Sequence, residues 1–369
     1  KSEFYRLACT FYVSPGNERT YVVLSGLNEN MPAAVQLFEK LLADAQVNKE
    51  AYTNMTSDIL KARSDAKLNQ GQNFSRLMSF AMYGPKSPAN LLTEAELTNM
   101  NPQELVDRIH NQNSYKHRIL YYGPSSSKDL LATINQYHQV PATLKDIPAG
   151  NEYSYLETPV TKVLVAPYDA KQIYMAQISN LDKKYDPAIE PIRALYDEYF
   201  GGGMNSIVFQ EMRETRGLAY SAWASIMPPS YLKYPYVLRT QIATQNDKMI
   251  DAVTTFNDII NNMPESEAAF KLAKEGLIAR LRTERIIKSD IIWSYINAQD
   301  LGQNVDSRIK LYNDAQNMTL KDVTDFQKKW IKGRTYTYCI LGDKKELDME
   351  KLKEVGPIRE LTQEEIFGY

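Results

Sequence analysis

The sequence lacks the features that mark several large classes of protein. Its 43 basic and 45 acidic residues leave a net charge of −2, which gives no electrostatic basis for binding nucleic acid or an anionic membrane surface. No apolar run approaches the roughly 20 residues of a membrane-spanning helix. The two cysteines, Cys9 and Cys339, are too few to form a metal site alone and do not indicate a disulfide framework. We therefore expect a soluble chain with no nucleic-acid partner and no membrane span. The few cysteines do not distinguish a cytoplasmic location from a periplasmic one.

The same stripe of apolar residues occurs twice along the chain. Both copies follow the i, i+3, i+4, i+7 spacing of an amphipathic helix, and all corresponding members are separated by the same offset in sequence. The two stripes are Met31, Ala34, Val35, Phe38, Leu41, Leu42 and Ala45, and Met249, Ala252, Val253, Phe256, Ile259, Ile260 and Met263. Gly123 and Gly342, each at the end of a predicted strand, keep this offset to within one position. The chain is therefore predicted to contain two copies of one unit.

The repeat predicts the domain boundaries. The second copy begins near Val160, so the first copy would lack roughly its first 60 residues before Lys1. We expect residues 1–139 to form a truncated α/β domain, 140–159 to be a linker that is rich in proline, and 160–369 to form the second domain. Strands cluster early in each copy and helices follow, which predicts an α+β fold with an antiparallel-rich sheet and helices on one side.

The most distinctive stretch, FGGGMNSIVFQEMRETRGLAY, runs from Phe200 to Tyr220. Three glycines end a helix, a short helix then carries Arg213 near its end, and a fourth glycine breaks the chain before a strand. Such glycines supply positive φ angles and allow close backbone approach. They match neither a P-loop nor a dinucleotide fingerprint, so no nucleotide cofactor is predicted. The glycines given structural roles are Gly201, Gly202, Gly203 and Gly217.

Two interpretations of Arg213 and Tyr220 follow from the residues alone. Arg213 could pair on the surface with Glu211 or Glu214, and Tyr220 could be one more packing or surface tyrosine. Alternatively, the planar guanidinium of Arg213 could hold two acceptors, and the phenol of Tyr220 could donate to an oxyanion.

The residues from Tyr199 to Ser221 resemble the hallmark of the zinc-free domain in insulinase/pitrilysin-type (inverzincin) zinc metallopeptidases. The glycines, the FQE and RGLAYS segments and the first arginine all agree with that pattern. The resemblance is close in the second copy and extends to the first in the order of elements. It implies two repeated sheet-plus-helices domains of the metallopeptidase LuxS/MPP-like type, the first truncated at its start.

The resemblance also implies a function. In this family a carboxy-terminal half closes over a zinc-bearing amino-terminal half, and peptides are hydrolysed inside the closed chamber. By position, the family's arginine and tyrosine, which bind the substrate backbone and stabilise the polarised carbonyl, fall on Arg213 and Tyr220. The implied partners are the amino-terminal catalytic half, in the same polypeptide or a partner subunit, and a peptide substrate.

The family's zinc motif, H-x-x-E-H with a distal glutamate, is missing from this sequence. The only histidines are His110, His117 and His138, and their spacing favours surface or hydrogen-bonded roles. Segment 48–68, at the place of the distal glutamate, offers Glu50, Asp58 and Asp65 without a convincing match. We therefore expect zinc in the parent enzyme, no metal in this chain, and no peptide cleavage by this chain alone.

Two further alternatives stay open. Family members that have lost the zinc motif exist, so a non-catalytic structural or assembly subunit is a second possible function. Tyr231, Tyr234 and Tyr236 could line a peptide-binding surface or form a rigid aromatic turn, and we favour the turn. Substrate specificity and oligomeric state are not predicted.

Overall fold

The computed structural model describes residues 2–16, 18–86, 91–150 and 153–369. Three predictions fall partly outside these residues: the domain start at Lys1, a turn that includes Asn17, and positions 151 and 152 of the linker. The described linker residues contain no helix or strand beyond an isolated bridge at Lys145. Within the described ranges, no helix combines the length and apolar character that crossing a membrane requires.

The chain divides into two compact units. The first comprises residues 1–62 and 92–152, and the second comprises residues 63–91 and 153–369. The predicted boundaries at 139 and 160 describe sequence repeats rather than these units, and they stay a prediction.

The first unit contains a β-hairpin and several helices. Its strands are β1 (Cys9–Pro15) and β2 (Thr20–Gly26), paired antiparallel. Its helices are Ser2–Arg6, Met31–Ala43, the first part of Lys49–Lys67, Glu94–Asn99, Pro102–Asn111 and Ser127–Tyr137, with 3₁₀ turns at Asn28–Asn30 and Gln112–Ser114. Phe4, Cys9 and Ala34 are buried in its small core, and Phe4 contacts Phe11 with ring centroids 4.8 Å apart.

The predicted strand that ends at Gly123 is wrong. Residues 118–123 adopt no strand in the structure. A strand needs a neighbour for its backbone hydrogen bonds, and the sheet of this unit, as far as it is described, is the two-stranded hairpin alone. Tyr121 instead donates a hydrogen bond through its hydroxyl to Asn28 Oδ1 at 2.7 Å.

The second unit is built on a six-stranded mixed sheet. Its strands are β3 (Lys162–Pro167), β4 (Gln172–Lys184), β5 (Ser221–Met227), β6 (Pro235–Gln245), β7 (Thr337–Gly342) and β8 (Ile358–Glu360). Their order is β5-β6-β4-β7-β3-β8. The β5/β6, β6/β4 and β4/β7 pairs are antiparallel, whereas β7/β3 and β3/β8 are parallel. The α+β class and the antiparallel-rich sheet are thereby confirmed.

Helices cover both faces of this sheet, so the expectation of one covered face is wrong. They are Gln70–Tyr83, Glu190–Phe200, Ile207–Phe209, Met249–Asn261, Glu267–Thr283, Asp290–Asp300, Ser307–Ala315, Leu320–Trp330, Met349–Val355 and Gln363–Phe367, with 3₁₀ turns at Gly84–Lys86 and Asn246–Lys248. Alternate residues of β4 point into two cores: Ile173 and Met175 into one, Ala176 and Ile178 into the other. Because β4 is apolar on both faces, the second face also needs a cover, which Gln70–Tyr83 and Gln363–Phe367 provide.

The repeat is visible in the element bounds. Met31–Ala43 and Met249–Asn261 have the same length and keep the sequence offset of the two apolar stripes at both ends. The starts of Pro102–Asn111 and Leu320–Trp330 keep it as well. The β1/β2 and β5/β6 hairpins do not keep this offset. Cys9, at the start of β1, and Ser221, at the start of β5, are separated by fewer residues than the two apolar stripes are.

Candidate functional site

The short helix before β5 has a defined start and an unusual end. Ser206 caps it: its hydroxyl accepts from the Phe209 N–H at 3.4 Å and donates to the Gly203 carbonyl at 2.6 Å. After Ile207–Phe209 the helix widens into a π-helix over Gln210–Thr215, which carries Arg213. Single π-helical turns inside helices occur frequently at functional sites.

A glycine turn joins this helix to β5. The Leu218 N–H donates to the Met212 carbonyl at 2.8 Å, and the Gly217 N–H donates to the Arg213 carbonyl at 3.1 Å. Gly217 has φ +56°, a left-handed conformation that glycine adopts without steric cost. Arg213 and Tyr220 are therefore brought together by a tight turn.

The triple glycine differs in part from its predicted role. Gly201, Gly202 and Gly203 do not adopt positive φ, so that expectation holds only for Gly217. Close approach is present instead: a Cβ on Gly201 would lie 2.1 Å from the Ala224 carbonyl oxygen, and one on Gly202 would lie 2.8 Å from the Asp197 carbonyl oxygen. The end of the Glu190–Phe200 helix thus packs directly on the backbone of β5.

Arg213 and Tyr220 are in contact and exposed. The Cζ atom of Arg213 lies 5.0 Å from the ring centroid of Tyr220 and 5.0 Å from that of Phe209, within cation–π range. The Arg213 side chain is 40% exposed and Tyr220 is 77% exposed. Met212 and Leu218, their neighbours on either side of the turn, are buried in the core. The rigid part of the turn is therefore apolar, and its two polar groups face outward.

Arg213 also has a surface ion pair, as one interpretation expected. Its Nε lies 3.5 Å from Glu214 Oε1, and both side chains are exposed. Glu211, the other predicted partner, lies 3.7 Å from Arg216 instead. Exposed pairs of this kind contribute about 0–1 kcal/mol. An incoming acceptor could therefore compete for the Arg213 guanidinium.

A half-buried ionic network holds the preceding helix to β5, and sequence reasoning missed it. Arg193 Nη1 donates to Asp197 Oδ2 at 2.7 Å, while Asp197 Oδ1 accepts from the Ile226 N–H at 2.8 Å. Arg193 also donates to Glu190, and Tyr236 donates to Glu190 Oε1 at 2.5 Å. Burial raises the pKa of Asp197 to about 6, although Arg193 and the hydrogen bonds oppose the shift. The i, i+3 and i, i+4 spacing was a signal for the ion pairs, but burial was not visible in it.

The three tyrosines after β5 divide between a core role and a packed aromatic turn. Tyr236 is buried and belongs to β6 rather than to a turn. Tyr234 contacts the rings of Tyr231 and Tyr155, at centroid distances of 6.1 and 5.3 Å.

The residues present do not fit the catalytic zinc of the resembled family. The sequence has no H-x-x-E-H, and within the described ranges no three or more His, Cys, Asp or Glu side chains are grouped to hold a metal ion. No step of a mechanism can therefore be assigned to a metal on these residues.

Comparison with known proteins relates the chain to one domain family by a matched segment and by its fold. Residues 119–277 match the family model described as the peptidase M16 inactive domain. The chain has the M16 inactive-domain fold. A structure of the peptidase M16 inactive domain from Pseudomonas fluorescens is 16% identical and has a TM-score of 0.68, covering 93% of this chain and 82% of that chain.

Two proteases of known structure have a fold similar to that of this chain, at comparable TM-scores. A protease from Helicobacter pylori is 12% identical, with a TM-score of 0.66 over 92% of this chain and 83% of that chain. The periplasmic protease PqqL from Escherichia coli is 13% identical, with a TM-score of 0.67 over 93% of this chain and 39% of that chain. No curated protein matches the chain significantly. The resemblance read from Tyr199–Ser221 is thereby confirmed at the level of fold and peptidase family context.

Proposed function

We propose that this chain is the zinc-free half of a zinc metalloendopeptidase, and that it supplies substrate contacts to an active site whose metal lies in the amino-terminal half. The observation that carries the proposal is the Arg213–Tyr220 pair, in cation–π contact at 5.0 Å on a turn whose neighbouring residues are buried. The M16 inactive-domain fold supports it, because both residues lie within residues 119–277, which match the family model.

The chemistry of the two side chains suits an extended peptide. The guanidinium of Arg213 stays charged and can donate two parallel hydrogen bonds to backbone carbonyl oxygens. The phenol of Tyr220 can donate one hydrogen bond to the oxygen of the scissile carbonyl as negative charge develops on it. The Tyr220 ring attracts the Arg213 guanidinium by a cation–π contact, which is not a hydrogen bond and so uses none of its donors.

The test is peptide hydrolysis by the complete enzyme. A fluorogenic peptide would be offered to the natural polypeptide that contains this chain, or to this chain mixed with the protein that carries H-x-x-E-H. Removing one donor to a developing oxyanion costs about 10²–10³-fold in kcat, so we expect Tyr220→Phe to lower kcat by about that factor. We expect Arg213→Ala to raise KM and lower kcat/KM by about 10²-fold, with partial recovery in Arg213→Lys.

The chain offers matched controls. Arg216 is an exposed arginine on the same segment that pairs with Glu211, and Tyr295 is an exposed tyrosine on a separate helix. We expect Arg216→Ala and Tyr295→Phe to leave kcat and KM within about twofold. Equal hydrolysis by the Tyr220→Phe and Tyr295→Phe enzymes would remove the proposed role.

The proposal has two further parts. The chain by itself should not hydrolyse peptides, and its two repeat domains should span residues 1–139 and 160–369, with residues 140–159 as the linker between them. Zinc-dependent cleavage by the pure 369-residue chain would contradict it. If neither the parent polypeptide nor any binding partner carries H-x-x-E-H, the alternative function as a structural or assembly subunit replaces it.

A further inference from the structure

The second face of the six-stranded sheet changes in character towards β5. Under the helix Gln70–Tyr83 this face is apolar, and Ala176 and Ile178 of β4 are buried there. On β5 and β6 the same face also carries polar and aromatic side chains that stay half-buried. They are Trp223, Ser225, Arg239 and Gln241. This part of the sheet therefore presents hydrogen-bond donors and an aromatic ring, rather than an apolar surface that a helix would cover.

Arg239 carries a positive charge that its surroundings do not match. Its Nη2 donates to Gln241 Oε1 at 3.0 Å, and its Cζ lies 5.1 Å from the centroid of the Trp223 ring. Within the described ranges no carboxylate pairs with it, and its Nε is buried without an acceptor. Burial lowers the pKa of the Arg239 guanidinium, because a charge is less stable away from water. A carboxylate that reached this guanidinium would therefore supply a missing counter-ion.

Two other arginines of the same unit show what a matched charge looks like. Burial also acts to lower the pKa of Arg193, but two neighbouring carboxylates outweigh it and the pKa is raised. Arg359 of β8 lies over the ring of Phe80 at 5.3 Å, much as Arg239 lies over Trp223, but its Nη2 is 3.0 Å from Glu365 Oε1. Arg239 differs from both because its counter-ion is absent from the described part of the chain.

The position of Arg239 relates it to the candidate site. Tyr220 immediately precedes β5, and Trp223 is the third residue of that strand. Because a strand rises about 3.3 Å per residue, Trp223 lies up to about 10 Å from Tyr220, and Arg239 reaches over its ring. An extended peptide with its scissile carbonyl at Tyr220 covers this distance in about three or four residues. A substrate side chain at that separation would meet the unmatched guanidinium.

We propose that Trp223 and Arg239 form a specificity subsite for an acidic side chain of the peptide substrate, about three or four residues from the scissile bond. The inference rests on the proposed function, because Tyr220 fixes the place of the scissile carbonyl. The carboxylate accepts charge-assisted hydrogen bonds from the unused N–H groups of Arg239. The cation–π contact with Trp223 is not a hydrogen bond and leaves those donors available. Gln241 is a positioning residue, because it accepts from Nη2.

The first test measures binding to the full 369-residue chain, so it does not depend on catalysis. The probes are two short peptides that differ only in one glutamate or glutamine, titrated by nuclear magnetic resonance. We expect the glutamate peptide to bind about tenfold more tightly and to shift the Trp223 indole and Arg239 Nε–H resonances. Arg239→Gln should bind both peptides equally. The matched control Arg359→Gln should keep the preference, because that guanidinium already has a carboxylate partner.

Circular dichroism checks the folding of each variant, and the wild-type titration tests the subsite even if Arg239→Gln does not fold. Equal binding of the two peptides to the wild type would overturn the proposal, as would shifts of the Trp223 and Arg239 resonances that are the same with both peptides.

The second test uses the complete enzyme and fluorogenic peptides with glutamate or glutamine at each position around the scissile bond. We expect about tenfold higher kcat/KM for glutamate at the third or fourth position, mainly through KM, and loss of this preference in Arg239→Gln. Tyr220→Phe should lower kcat for both peptides alike. A preference that is lost in Arg239→Gln beside full activity of Tyr220→Phe would keep the subsite and reject the proposed function. A preference that survives in Arg239→Gln would overturn the subsite and leave the proposed function standing.

Discussion

Substitution of the triple glycine provides a graded test of how the candidate site is built. In Gly201→Ala the new Cβ would lie 2.1 Å from the oxygen, 2.6 Å from the nitrogen and 2.7 Å from the carbonyl carbon of Ala224. These are backbone atoms of β5, and Ala224 is paired with Thr240 of β6, so neither partner can move away cheaply. Overpacking commonly costs about 1–3 kcal/mol, and a rigid backbone contact places this variant at about 3 kcal/mol or above.

The neighbouring positions calibrate that value. A Cβ on Gly202 would lie 2.8 Å from the Asp197 carbonyl, and we expect about 1 kcal/mol of destabilisation. A Cβ on Gly203 would meet nothing within 4 Å. Alanine there restricts the unfolded chain, so Gly203→Ala should be neutral or stabilising by up to about 1 kcal/mol.

The assay is urea unfolding monitored by circular dichroism, with hydrogen exchange of β5 amides as a local probe. Gly201→Ala should unfold at the lowest urea concentration, followed by Gly202→Ala and then Gly203→Ala. Faster exchange of β5 in Gly201→Ala would locate the damage at the helix–strand contact. Equal stability of Gly201→Ala and Gly203→Ala would show that the contact with β5 is not what matters, because both replace the same residue type in the same segment.

Two further predictions concern buried ionisable groups. The pKa of Asp197 is about 6 when folded, above its ordinary 3.8, so the folded state binds the proton more tightly. The unfolding free energy should therefore fall by about 2 kcal/mol from pH 4 to pH 6, out of about 3 kcal/mol over the whole titration, and Asp197→Asn should abolish this fall in urea titrations; an identical slope in both proteins would contradict it. Burial raises the pKa of Cys339 to about 12, so a thiol reagent at pH 8 should react with this buried cysteine only after denaturation, and fast reaction in the native chain would contradict its burial.

Much of the fold could be predicted because its signals are local. The stripes at Met31 and Met249 have helical spacing, and the structure places helices at Met31–Ala43 and Met249–Asn261. The cap at Ser206 is local in the same way, because a capping side chain bonds to amides only a few residues away. The Arg213–Tyr220 pair was predictable for the same reason: only a short turn separates the two residues.

The failures have a common cause in long-range packing. The segment ending at Gly123 has the composition of a strand and no partner strand within the described residues, so it is not one. The position of the helix Gln70–Tyr83 on the second face of the sheet likewise depends on its contacts with β3 and β7, which lie far away in the sequence. Periodicity reports which face of an element is apolar and not which surface will cover it.

The repeat, the α+β class, the family resemblance and the identity of the two candidate residues, Arg213 and Tyr220, all follow from the order of residues alone. These properties depend on residue spacing within one element or across one turn. The burial of Asp197 against Arg193 and the contact of His117 with His138 emerge only in the folded chain, since each depends on burial or on segments brought together from distant positions. Ion pairs and hydrogen bonds between distant residues depend on such three-dimensional proximity, which a single sequence does not encode locally.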